Sequence, residues 1–194
     1  MRRGVRIEPN NEMTEEIIEQ RIKVIIVGEP GAGKKQLASS ADVCMPFKTL
    51  GVSIGKKTNL DKKINYQLTL LFWTLTKGRP KKTTYFEGAG AAIIMGNINQ
   101  RRSLNTMQSW ANSIRENLGT IPLFFIGTIE NSKSKKNQRL LSKLAEQFNS
   151  RYFVLSYDQE SRLNTIMKSI ARHIARSYSK LIFKDIVPPV SGNT

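Results

Sequence analysis

A single cysteine, Cys44, leaves the chain without a partner for an intrachain disulfide. The fold must therefore hold without covalent bridges, as suits a reducing cytosol. There is one histidine, His173, and no Cys/His spacing of the kind a structural zinc site uses. Nothing pairs that histidine with a nucleophilic Ser or Cys, so it reads as a surface or boundary residue and Cys44 as a small buried hydrophobe. Apolar runs fall well short of the roughly 20 residues that span a bilayer. The opening MRRGVRIEPNNE has charge but no apolar core behind it, which does not read as a secretory signal, and the closing PPVSGNT offers no prenylation cysteine. Acidic residues are also scarce: 15 Asp+Glu stand against 31 Lys+Arg, a net charge of +16. That bias favours an anionic partner, whether phospholipid surface, nucleic acid or acidic protein, unless it is only a solvated surface suited to a salty or hot cell.

What is present is one domain's worth of chain, 194 residues with a hydrophobic fraction of 39%. Its organising stretch is KVIIVGEPGAGKK, Lys23 to Lys35. The apolar run Val24 to Val27 reads as a buried parallel strand. The spacing Gly28-x-x-x-x-Gly33-Lys34 follows at once and matches a phosphate-binding loop in all but its last position. Glycines let such a loop fold back until successive backbone N–H groups face one anion-sized cavity, and Lys34 adds a point charge for the outer phosphates. The following residue should be Ser or Thr, whose hydroxyl ligates Mg²⁺. Here it is Lys35.

Along the chain, residues 1–20 read as an N-terminal extension, with MTEEIIEQ a short helical turn before strand one. A first helix is expected from Gly33 to about Ala41, then an exposed loop broken by Pro46. Thr49 to Leu60 and Asn65 to Leu75 form an antiparallel hairpin across the polar turn LDKKIN. Ala89 to Gly96, Ile121 to Gly127 and Arg151 to Leu155 read as further buried strands. Between them, Ser103 to Leu118 has helical apolar spacing, with Ser103 as N-cap and Gly119 as stop. Gln138 to Phe148 is a second helix with Leu140, Leu141, Leu144 and Phe148 inward. A long helix from Glu160 to about Phe183 places Leu163, Ile166, Met167, Ile170, Ile174, Tyr178 and Leu181 on one face. Lys168, Arg172, Arg176, Lys180 and Lys184 recur every fourth residue opposite that stripe. Trp73 and Trp110 read as packing residues. The whole is an α/β domain with a mostly parallel sheet covered by helices on both faces, whose ligands bind at the carboxyl ends of the strands.

Four stretches carry a resemblance over Lys23 to Phe183: VGEPGAGKK, TLGVSIGKKT, YFEGAGAAIIMGNINQRRSLNTMQSWANSIREN and IPLFFIGTIEN. In order and spacing they resemble a Ras-like small GTPase, closest in texture to the Rab branch. The resemblance implies a P-loop NTPase fold, with a six-stranded sheet and one antiparallel edge strand. It implies a G domain over residues 21–184 and a C-terminal tail over 185–194. It also implies a switch protein that binds GTP or GDP with Mg²⁺, meets an effector or regulator, and acts as a cytoplasmic monomer that can sit at a membrane surface.

Carried over residue by residue, the phosphate cradle is Gly28, Glu29, Pro30, Gly31, Ala32, Gly33, Lys34 and Lys35. Thr49 matches the first-switch Thr, after a segment a few residues shorter than usual. Pro30 stands where the family has Gly or a small residue and where a side chain hinders hydrolysis. Lys35 replaces the Mg²⁺-ligating hydroxyl, and an ammonium repels a cation. Thr74 falls at the Asp behind the Mg²⁺ ion, and Arg79 and Pro80 follow Lys77 and Gly78 where the water-orienting Gln belongs. The guanine-reading Asn-Lys-x-Asp aligns with Thr128, Ile129, Glu130 and Asn131, and the last base contact with Ser156-Tyr157. These departures leave Mg²⁺ doubtful and assign no catalytic residue and no metal ligand. They favour a guanine-nucleotide switch with impaired or absent hydrolysis. The alternative is a nucleotide-free pseudo-GTPase, a basic module for a protein or an anionic membrane. An ATPase reading is weaker for want of a carboxylate. Nucleic acid is disfavoured because the basic segments lack interleaved aromatics.

Overall fold

The computed structural model describes residues 18–40, 43–47, 52–61, 66–75, 85–129, 135–156 and 160–186. Strand β1 (Ile18–Gly28) lies at the centre of a seven-stranded sheet. The other strands are β2 (Val43–Phe47), β3 (Val52–Asp61), β4 (Tyr66–Leu75), β5 (Ala89–Asn97), β6 (Leu123–Ile129) and β7 (Arg151–Ser156), in the order β2-β3-β4-β1-β5-β6-β7. The six strands expected from the sequence are all present, five parallel and β3 antiparallel to its neighbour β4. The antiparallel strand is not the edge, however. Val43–Phe47, expected as an exposed loop, pairs antiparallel with β3 and lies outside it. Pro46 is tolerated there because an edge strand can turn the missing N–H away from the ladder.

β1 also begins earlier than expected. Ile18 to Gln20 pair with Tyr66 to Leu68, so these residues of the supposed extension belong to the sheet. The segment IEQRIK is mostly polar, with Ile18 and Ile22 its only apolar residues, and it is held by pairing with Tyr66 to Leu71 of the long β3–β4 hairpin.

Alternation then divides the core. Val24, Ile26, Ile93, Met95, Phe124 and Ile126 face one side, packed on helix α4 (Glu160–Ile186) through Ile166, Met167, Ile170 and Ile174. Ile25, Val27, Ile94, Leu123 and Phe125 face the other, under helices α2 (Arg101–Leu118) and α3 (Lys135–Gln147). Such residues are fully buried, and truncating one Ile to Ala costs about 2–5 kcal/mol.

Helix α1 (Lys34–Ser39) is shorter than expected. Two further details differ. Ser103 is not the cap of α2: the helix starts at Arg101 after Gln100, and the Ser103 hydroxyl is buried against Gly96 without a hydrogen-bond partner. Leu140 is exposed, and Ala145 takes the inward position beside Leu141 and Leu144, because the apolar stripe turns by one residue. Gly119 does end α2, at φ 64°, with its N–H on the Arg115 carbonyl. His173 lies at a boundary, edge-on to the Phe124 ring at 5.5 Å. Cys44 is in β2, Thr49 and Leu181 give no side-chain description, and Lys168, Arg172 and Arg176 are exposed on α4.

Candidate functional site

β1 is buried and apolar as far as Val27 and then stops at Gly28. The φ of Gly28 is +135°, and a Cβ there would overlap the carbonyl oxygen of Met95 in β5. Only glycine lets the chain leave the sheet this close to its neighbour. Gly31 and Gly33 follow with φ of +80° and +83°, so the loop reverses twice within five residues. The Ala32 N–H returns to the Glu29 carbonyl at 3.3 Å, and Gly33 opens α1, its carbonyl accepting from the Leu37 N–H at 3.0 Å. Alternating turns of this kind form the N–H concavities that receive anions.

Lys34 closes the loop. Its half-buried ammonium donates to the carbonyl oxygens of Gly28 and Glu29, both at 2.7 Å. Burial lowers its pKa, with the Glu29 carboxylate working against the shift. An ammonium has three protons, so one remains for a phosphate oxygen after these two bonds. Glu29 in turn accepts a 2.9 Å hydrogen bond from the Thr106 hydroxyl on α2. Pro30 and Lys35 are exposed, and Lys35 stands on the first turn of α1.

Thr74 is fully buried on β4, level with Ile26 of β1, and its hydroxyl has no hydrogen-bond partner. An orphaned buried hydroxyl costs about 1–3 kcal/mol, so it is a conspicuous departure from good packing. It is neutral and lies below the surface. At the start of α1, Lys35 carries an exposed ammonium where a hydroxyl should ligate. Among the described residues no group of three His, Cys, Asp or Glu side chains gathers. This donor set does not fit Mg²⁺, which takes oxygen ligands and at least one carboxylate.

On the far side of the loop, Thr128, the penultimate residue of β6, is fully buried. Its hydroxyl reaches the Gly96 carbonyl at 3.3 Å, and its own carbonyl accepts from the Ile98 N–H at 3.0 Å. Its methyl group lies 3.5 Å from where a Cβ on Gly33 would be, so β6 and the phosphate loop meet here. Ile129 is buried and pairs with Ser156 of β7. The fold thus brings Gly28 to Lys35, Thr74, Thr128, Ile129 and Ser156 to the carboxyl end of one sheet. Thr49, Lys77, Gly78, Arg79, Pro80, Glu130, Asn131 and Tyr157 lie outside the described residues. The sequence reading missed Thr106, because only the folded chain brings it next to Glu29.

A parallel sheet with a glycine loop after its central strand, closed by a lysine, defines a P-loop NTPase architecture. The sequence model of the Ras family matches residues 23–176, and the chain belongs to that family. It is 29% identical over 142 residues to Ras-related protein Rab-11B of Dictyostelium discoideum, covering 68% of this chain but only 62% of that protein's length. Ras-related protein Rab-13 of Canis lupus familiaris is 26% identical over 166 residues, 78% of this chain and 79% of that protein. Rab-13 of Mesocricetus auratus is 24% identical over 192 residues, 89% and 93%. No helix among the described residues is long and apolar enough to cross a membrane.

Proposed function

We propose that the chain is a small-GTPase-like switch protein that holds a guanine nucleotide by its phosphates and hydrolyses it slowly or not at all. The observation that carries this reading is the contrast within one site. The anion cradle is complete, with Gly28, Gly31 and Gly33 in the backbone conformations it needs and Lys34 across its mouth. The two groups that would place a metal are exchanged for Lys35 and for the buried, unpaired hydroxyl of Thr74.

In this reading the residues act as follows. Lys34 contributes one N–H to an outer phosphate while its other two keep the loop closed. Lys35, exposed beside it, supplies charge for the phosphates in place of the metal. An ammonium neutralises charge but gives none of the geometry for in-line attack, so binding survives and turnover does not. The base is read loosely, because the position of its carboxylate partner moves to Glu130 or is lost. Chemically distinct partners follow from membership of the family and from the charge: an effector or regulator protein, and an anionic membrane surface for Lys168, Arg172 and Arg176 of α4.

A second reading, a nucleotide-free interaction module, is favoured by one observation: Lys34 already satisfies two of its donors within the loop. The deciding experiment is to denature the purified protein and identify any released nucleotide by chromatography. GTP or GDP in near-stoichiometric amount supports the first reading. An empty site supports the second, and ATP would overturn the guanine assignment.

A further inference from the structure

At the other end of the sheet, where β6 and β7 begin, a half-open cavity of about 870 Å³ lies between the loop after α2, the loop after α3 and the face of α4. Its volume is within the range of small-molecule sites, which run to about 1,000 Å³. The basic side chains around it face no carboxylate among the described lining residues. Arg115 comes from α2, Arg151 from the first position of β7, and His173 from α4, and no Asp or Glu is among its described lining residues. Ile121, Phe148 and Tyr178 give it an apolar wall.

The cation at its base is built in. The Arg115 guanidinium donates to the carbonyls of Gly119 at 3.2 Å, Ile121 at 2.7 Å and Phe148 at 3.1 Å. These carbonyls belong to the two loops that frame the cavity, so one side chain holds the frame and fixes its own orientation. Three of its five N–H groups are committed, and Nε–H and one Nη2–H remain. Tyr178 donates to the Gly90 carbonyl at 2.7 Å, at a point where any Cβ on residue 90 would collide with its hydroxyl oxygen, so that wall is fixed as well. The Arg151 guanidinium is exposed at the rim and makes no hydrogen bond or ion pair among the described residues.

We propose that this cavity is a second anion site, independent of the phosphate loop, which takes a phosphate monoester carried on an apolar body. Arg115 and Arg151 receive the phosphate, as arginine forks do for planar and tetrahedral oxyanions, and Phe148, Ile121 and Tyr178 cover the apolar part. His173 is the reporter. Burial and the charges of Arg151 and Arg176 hold its pKa below the usual value, and an anion held by Arg115 and Arg151 offsets the Arg151 charge. The same chemistry exists in a free organic phosphate and in the headgroup of phosphatidic acid.

Because His173 is the chain's only histidine, its imidazole protons give one assignable pair of NMR signals. The full chain is titrated with phenyl phosphate, phenol and, separately, vesicles of phosphatidic acid or phosphatidylcholine. Phenyl phosphate should shift the His173 signals with saturation below about 10 mM and raise its pKa, while phenol does neither. Arg151→Glu, an exposed substitution, should weaken that binding about tenfold or more, as removing a charge-assisted contact and reversing its sign requires. Arg151-dependent retention on phosphatidic acid vesicles but not phosphatidylcholine identifies a lipid source; phenyl phosphate binding without vesicle binding identifies a free ligand. No His173 shift with phenyl phosphate, or a shift unchanged in Arg151→Glu, overturns the proposal whatever the vesicles show. The readout is local to His173, so loss of nucleotide binding at Lys34 leaves it intact.

Discussion

The hydroxyl of Thr106 donates to the carboxylate of Glu29 at 2.9 Å, tying helix α2 to the phosphate loop across 77 residues of sequence. The bond links the glycine turn after β1 to a helix whose other face packs on β5. Thr106→Val keeps the shape and removes the donor. Stability should fall by about 1 kcal/mol, the worth of a partly exposed bond to a charged acceptor, and amide exchange in the loop should quicken. Urea unfolding and hydrogen exchange at Ala32 and Gly33 measure the two effects.

Gly28→Ala should be far more damaging. The added methyl group meets backbone, the Met95 carbonyl, and the φ of +135° excludes an L side chain. Neither neighbour can move without breaking the β1–β5 ladder. A loss of about 3 kcal/mol or more is expected, read as a fall in melting temperature or as insoluble protein. Gly31→Ala meets no atom but is strained at φ +80°, so it should cost about 1–2 kcal/mol, still fold, and lose phosphate affinity as the loop relaxes.

Much of this arrangement was legible before any coordinates. The loop spacing and the apolar runs of β1, β5 and β6 are local signals, since a strand buried on both faces must be apolar at nearly every position. Features decided by partners were not legible. Pro46 reads as a breaker until β3 is seen to need an outer neighbour on only one side. Ile18 to Gln20 read as polar helix until Tyr66 to Leu68 appear beside them. Thr74 aligned with a lost carboxylate, but its burial and its orphaned hydroxyl come only from the fold. Glu29 carried no sign of Thr106.

His173 makes stability depend on pH in a defined direction. Its pKa in the folded chain lies below the ordinary histidine value of 6.5 because of burial first, then Arg151 and Arg176. The unfolded chain therefore binds the proton more readily, and stability rises with pH across this interval. The penalty starts as pH falls through 6.5 and is complete below the lowered folded value. Urea midpoints measured from pH 7.5 down to 5 should fall further for the native chain than for His173→Gln. Arg151→Gln should narrow that difference by removing one repelling charge.

Thr74→Asp places a carboxylate in a fully buried position without a partner. It should destabilise the chain by several kcal/mol, on the order of 3 or more. The double variant with Lys35→Ser removes the ammonium and supplies both the hydroxyl and the carboxylate that the Mg²⁺ site of the family uses. Added Mg²⁺ should then restore part of the lost stability, which it should not do for the native chain. Thermal melts with and without Mg²⁺ give the comparison.

The central claim is that this cradle binds nucleotide phosphates with lysines rather than through a metal. It is tested most directly by the equilibrium affinity of the purified chain for GTP, measured once with Mg²⁺ and once with excess chelator. The account predicts two dissociation constants within about threefold of each other. A loss of about a hundredfold or more on chelation would contradict it.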